Sequence, residues 1–184
     1  MQYISSTQIN VLTPPDLPTG ILPVVVTTPS GASAPFSVTS VNYMPAFFSW
    51  PGNQPVATHV DFSWAAKPGT FAGATTVAAK PGEVIILWAT GMGPTTPPAP
   101  VGAQVSGLTR STTSLPTITI QVKPTVVYGA ALAPGFAGLY QVSFQVPADF
   151  PYGDYPINGS IGGAPFSTAS ALVLSVRSAT PPPK

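Results

Sequence analysis

From residue 140 to residue 146 apolar and polar side chains alternate without a break: Tyr140, Val142, Phe144 and Val146 are separated by Gln141, Ser143 and Gln145. A period of two puts the first set on one side of an extended chain and the second on the other. The segment therefore predicts a strand with one buried face and one wet face. The same alternation marks 116–123, with Ile118, Ile120 and Val122 on one side, and further strands are expected at 126–131, 155–161 and 169–176. Residues 84–88, Val-Ile-Ile-Leu-Trp, are apolar throughout, which suits a strand covered on both faces. Nearer the start, 6–12, 22–28 and 35–41 read as strands, joined by a Pro-rich turn at 13–20 and a hairpin loop at 29–34. Pro23 cannot donate to a ladder, which places it at a sheet edge or a strand start. Residues 95–115 form a Pro/Gly/Ser/Thr loop expected to be exposed and mobile. No segment shows the 3.6-residue period of a helix.

The strand at 139–146 opens a stretch that has a partner earlier in the chain. Gln8, Pro14, Asp16, Pro18, Gly20 and Pro23 recur as Gln141, Pro147, Asp149, Pro151, Gly153 and Pro156, at one constant spacing. Three residues are then dropped, and Ala34-Pro35-Phe36-Ser37 recurs as Ala164-Pro165-Phe166-Ser167. The chain thus holds one β-unit and part of another.

Composition sharpens this. Only 6% of residues are charged while 44% are hydrophobic, the reverse of a disordered chain, so the 25 Pro and 17 Gly read as turns between many short strands. A net charge of +1, with Lys67, Lys80, Arg110, Lys123, Arg177 and Lys184 scattered, offers no footprint for nucleic acid or an acidic membrane surface. A mean hydropathy of +0.32 with so few charges favours association. There is no cysteine, which excludes disulfides and thiolate metal sites. No run of 18 apolar residues suggests membrane insertion, and the first ten residues lack the basic start and apolar core of a signal peptide. If the protein is secreted, its signal is expected outside this sequence.

Few residues offer chemistry. The acidic set is Asp16, Asp61, Glu83, Asp149 and Asp154, and all but Asp61 sit in turns, where capping backbone amides is the expected role. His59-Val60-Asp61 puts two ligand types on one face of a strand. Zinc sites need three or four protein ligands, so a surface strand pair is expected and no metal or cofactor. Gly91-Met92-Gly93-Pro94 superficially resembles a phosphate loop but lacks the Lys-Ser/Thr and the helix that would hold an anion. Asn158-Gly159-Ser160 matches a glycosylation acceptor, a short and frequent pattern. With no G-x-S-x-G elbow and no cysteine nucleophile, no catalytic residues are expected and the protein reads as a non-enzyme. What stands out instead is the irregular aromatic segment 46–79. Phe47, Phe48, Trp50, Phe62, Trp64 and Phe71 either cover a sheet edge and a seam between domains or form an exposed platform for sugars.

The runs KPGEVIILWATGMGP and PTVVYGAALAPGFAGLYQVSFQVPADFPYGDYPINGSIGG resemble the Solibacter-type C-terminal domain of uncharacterised secreted acidobacterial proteins, over about residues 40–177. The most specific parts are Tyr128-Gly129 with Ala133-Pro134-Gly135-Phe136, and Gly138-Leu139-Tyr140-Gln141-Val142. Ser5, Ser6, Gln8, Ile9 and Asn10 resemble the end of the preceding module in such proteins, with the departure that Thr13, not Val, precedes Pro14. The resemblance implies an immunoglobulin-like β-sandwich on a secreted, extracellular or cell-surface protein, and transfers no activity.

The expected architecture is all-β: tandem immunoglobulin-like β-sandwich modules, the first one incomplete. Residues 1–45 would be the C-terminal part of one module, 46–178 a complete module and 179–184 a Pro-rich tail or linker. An immunoglobulin-like module needs about seven strands, so the missing strands of 1–45 should come from further chain or from a neighbouring subunit, or else the region 46–79 folds back to cover the partial module. Self-association or neighbouring modules are the expected partners. The expected function is a structural protein within a filament, surface layer or multi-module surface protein. The alternative is an adhesion module that binds polysaccharide or a protein partner.

Overall fold

The structure, a computed structural model, describes residues 3–101, 103–167 and 171–177; the expected tail at 179–184 lies outside the described residues. All described secondary structure is β-strand. The chain divides into two compact units, Met1–Asn42 and Tyr43–Lys184. Residues 43–45, assigned above to the first module, are bonded into the second unit: the Tyr43 hydroxyl meets Ser114 Oγ at 3.0 Å, and Met44 N–H donates to the Gly91 carbonyl.

The second unit is built on two open sheets. In one, Ala57–His59, Val84–Thr90, Tyr140–Gln145, Val126–Leu132, Ser111–Thr112 and Thr95–Thr96 lie side by side in that order, with Ala46–Phe47 also paired to Val84–Thr90. In the other, Lys123–Pro124, Thr117–Ile120, Gly153–Ile161 and Ala164–Pro165 are neighbours, and Val173–Val176 pairs with the first half of Gly153–Ile161. Every ladder is antiparallel. Ile85, Leu87, Val142 and Phe144 from the first sheet join Ile118, Ile120, Ile157, Leu174 and Val176 from the second in one hydrophobic core, a sandwich-like arrangement.

The alternation at 140–146 is realised as read. Tyr140, Val142, Phe144 and Val146 are buried, and Gln141, Ser143 and Gln145 are half-buried on the other side. Gln145 donates to the Gly82 carbonyl and accepts from the Tyr128 hydroxyl, which ties the wet face to the flanking turn and strand. Val84–Thr90 is covered on both faces in its middle, where Ile85, Ile86 and Leu87 are all buried.

Two expectations are corrected. Val122 does not continue the apolar face of Ile118 and Ile120. The strand ends at Ile120, the chain reverses through Gln121 at φ 55°, and Val122 stands 92% exposed at the hairpin tip. The segment 95–115 is mostly exposed, as expected, but it is not all loop. Thr95–Thr96 and Ser111–Thr112 are strands of the first sheet, Val105 is buried, and the Arg110 side chain donates to the Pro98 carbonyl.

The first unit contains three two-stranded ladders: Tyr3–Ile4 with Ile9–Asn10, Gly20–Val24 with Phe36–Ser40, and Thr27–Thr28 with Gly31–Ala32. The expected strand 6–12 is thus laddered only at its centre, and 22–28 is broken after Val24. In the register Leu22↔Val38 and Val24↔Phe36, these four side chains share one face of the ribbon. No residue from 3 to 42 is buried.

The repeat ends earlier in structure than in sequence. Phe36 belongs to the strand opposite Val24, whereas Phe166 lies beyond the Gly162-Gly163 hairpin, donates its N–H to Gly159 and stacks on Phe47. The strand that lies against Gly153–Ile161 as Phe36–Ser40 lies against Gly20–Val24 is Val173–Val176.

Candidate functional site

The aromatic segment places its rings in different surroundings. Phe47 belongs to the core: it is buried, its strand pairs with Val84–Thr90, and its ring stacks on Phe166 at 4.0 Å and 5°. It is therefore removed from the candidate platform. Phe48 is exposed, although its N–H donates to the Trp88 carbonyl. Phe62, at φ 65° in the turn after Ala57–His59, is exposed and tilts against Trp88 at 6.4 Å, a partner not included in the sequence-based set.

The remaining three rings come together. Trp50 and Gln54 face each other across a tight hairpin that turns through Gly52 and Asn53, both at positive φ. Gln54 ties this hairpin to the turn at 67–70: its Oε1 accepts the Lys67 N–H, and its Nε2 donates to Thr70 Oγ1. Thr70 and Thr76 each donate a hydroxyl to the Lys67 carbonyl. That turn presents Phe71 edge-on to two indoles, with centroids 5.2 Å from Trp50 and 5.0 Å from Trp64. Trp64 is 44% exposed, while Trp50 and Phe71 are half-buried. The result is a three-ring cluster with an open apolar side.

Charge adjoins the same turn. Lys67 Nζ donates to Asp154 Oδ2 at 3.0 Å, and Asp154 Oδ1 accepts from Ser175 Oγ and the Arg177 guanidinium. Partial burial pushes the Asp154 carboxyl up, but the hydrogen bonds from Ser175, Lys67 and Arg177 outweigh it and hold the group at about 2. Asp154 is thus a fixed anion with its acceptors occupied, suited to anchoring the strand Val173–Val176.

His59, Asp61, Glu83 and Asp149 are similarly committed. His59 and Asp61 do not form the expected surface pair. The strand ends at His59, whose ring is buried between Glu83 and Val77, while Asp61 turns away to accept from the Ser63 N–H and hydroxyl. His59 Nε2 lies 3.0 Å from the Val77 carbonyl, which only accepts, so this nitrogen carries a hydrogen. On its other side the ring meets Glu83, with Nδ1 2.6 Å from Oε1. Glu83 Oε2 accepts the Lys80 N–H and so caps its turn. Asp149 pairs with Lys123, whose hydrogen bond keeps the carboxyl below its ordinary value. Among the described residues no three of His, Asp and Glu gather.

The glycine-rich segment 91–94 serves packing. Gly91 is at φ 68°, and a Cβ there would lie 1.9 Å from the Met44 carbonyl oxygen. Met92 is fully buried, and the Gly93 carbonyl accepts from the Tyr140 hydroxyl.

No family model, curated protein or solved structure matches this chain.

Proposed function

We propose that this chain is a structural part of a larger extracellular or cell-surface assembly, made of tandem immunoglobulin-like modules of which the first is incomplete. The observation that carries the reading is the bare state of residues 3–42. Ile9, Val11, Leu22 and Val24 stand at least partly open, while their repeat equivalents Val142, Phe144 and Ile157 are buried, and Tyr155 packs against that core. An uncovered β-face with free edges is a template for further strands. The resemblance to the Solibacter-type domain supports the location and the module type. In this reading the protein has no catalytic role. Electron microscopy of the native material tests it: filaments, sheets or strings of modules are expected, and isolated compact particles would overturn it.

A second reading rests on the Trp50–Phe71–Trp64 cluster. An open indole beside polar side chains suits the apolar face of a sugar ring, so the module would bind polysaccharide. Retention on an insoluble glycan that is lost in Trp64→Ala and kept in Phe48→Ala would favour it.

A further inference from the structure

The internal repeat makes the second unit a template for what the first unit lacks. In the second unit the strand Tyr140–Gln145 has a neighbour on each side. Val84–Thr90 pairs with it through Ile85↔Phe144 and Leu87↔Val142, and Val126–Leu132 lies on the other edge. The equivalent stretch of the first unit runs from Thr7 to Leu12. Among the described residues one edge is touched only by Tyr3–Ile4 and the other bears no strand. In the second unit Tyr155 and Ile157 sit under the first sheet, with Leu174 and Val176 beside them. Leu22, Val24, Phe36 and Val38 present the corresponding face, and no described residue of the first unit is buried against it.

We propose that the first unit docks the N-terminal half of another module of this same repeat. Its leading strand would run antiparallel along residues 7–12 in the register of Val84–Thr90, with apolar side chains opposite Ile9 and Val11. This rests on the reading of the chain as part of a modular assembly and specifies its partner. The chemistry of the bare surface selects that occupant. Residues 3–42 contain a single charged residue, Asp16, so the face offers nothing to a charged ligand. It offers unpaired backbone groups along an edge and an apolar strip, which together are met by an extended strand with a period of two. A second copy of this chain does not supply such a strand. Its second unit already uses Val84–Thr90 and Val126–Leu132 in its own core, and its first unit has the same deficit.

The template holds as far as Val24 and then diverges. Gly159 allows Thr117–Ile120 to approach, since a Cβ there would lie 2.5 Å from the Thr117 carbonyl oxygen, whereas the equivalent residue of the first unit is Val26. The incoming half-module must therefore stand off, or carry a shorter second strand, beyond Val24.

The test extends the full chain at its N-terminus with a second copy of residues 80–139, joined by a flexible linker, and follows amide exchange together with mass in solution. In the unextended chain, amides 9–11, 22 and 24 should exchange at nearly unprotected rates, Pro23 having no amide hydrogen. In the extended chain they should slow by about a hundredfold or more, on a scale where each tenfold is about 1.4 kcal/mol, with the protein monomeric. Val24→Asp in the extended chain should remove that protection and leave amides 140–145 slow. Protection of amides 9–11, 22 and 24 in an unextended monomer would overturn the proposal in favour of a self-sufficient unit. Protection in an unextended dimer would overturn it in favour of a second copy, and no gain on extension would overturn it outright. Any of these leaves the electron-microscopy result free to stand, so failure of the partner and failure of the assembly reading are distinguishable.

Discussion

Phe144 is the clearest case of a side chain whose role follows from its neighbours in sequence. It is fully buried between the two sheets, opposite Ile85 on one side and Val127 on the other. Replacing it with Ala removes a ring that little else can fill, and should cost about 3–5 kcal/mol, measured as the shift in denaturant unfolding of the second unit. Asp154 illustrates the opposite kind of residue, one whose partners are remote. Its carboxyl is at about 2 in the folded chain against an ordinary value of 3.8. The folded value is depressed, so its stabilising effect is complete above the ordinary value and is lost as pH falls through about 2. Asp154→Asn should therefore lower stability at neutral pH, and its deficit relative to the parent should vanish as pH falls towards 2. Unfolding midpoints across that range check this. A deficit unchanged by acid would assign the loss to packing. The His59–Glu83 pair was equally hidden from sequence reading. Its members lie 24 residues apart and the Val77 carbonyl lies 18 from His59, so only the pairing of Ala57–His59 with Ile85–Leu87 brings them together.

For strands and turns, Gly91 gives a sharp test. A methyl group there would collide with the Met44 backbone, whereas Gly107, also at positive φ, has open space around its Cβ position. Gly107→Ala should cost about 1–2 kcal/mol from backbone conformation alone. Gly91→Ala should cost clearly more, because the Tyr43–Phe47 segment must move. Paired thermal or chemical unfolding of the two variants measures the difference, and equal losses would mean the segment adjusts freely. The strands themselves were largely legible, since a period of two survives wherever one face is buried, as in Tyr140–Gln145. What the pattern could not reveal was where a strand stops. Gln121-Val122 carries neither Gly nor Asn to announce a hairpin, so Val122 looked like one more inward residue. The two roles open to the aromatic segment could not be told apart ring by ring for a related reason. Ring type does not distinguish Phe47, held by Phe166 from 119 positions away, from Trp64, held by a nearby turn. The two repeats diverged after the hairpin because Ala164–Pro165 turns back onto Gly153–Ile161, a use of Ala-Pro-Phe-Ser that local sequence does not encode.

The molecule as a whole is unevenly finished. One unit closes two sheets over a shared core, and the other displays the same kind of strands without a core. That contrast carries the proposed role in an assembly, and it has a thermodynamic consequence. With Asp16 the one charge among residues 3–42, whatever covers this surface is held by loss of apolar hydration and by backbone pairing, and hardly by attraction between ions. Such contacts weaken on cooling, while salts of the sulfate type strengthen them. Screening has little charge to act on. Light scattering on the assembled material should therefore fall near freezing and recover on warming, and should rise with added sulfate. Dissociation by moderate sodium chloride, with indifference to cold, would point to an ionic seam. If the cold response holds, the assembly can be taken apart and rebuilt by temperature alone, with no denaturant and no change of pH.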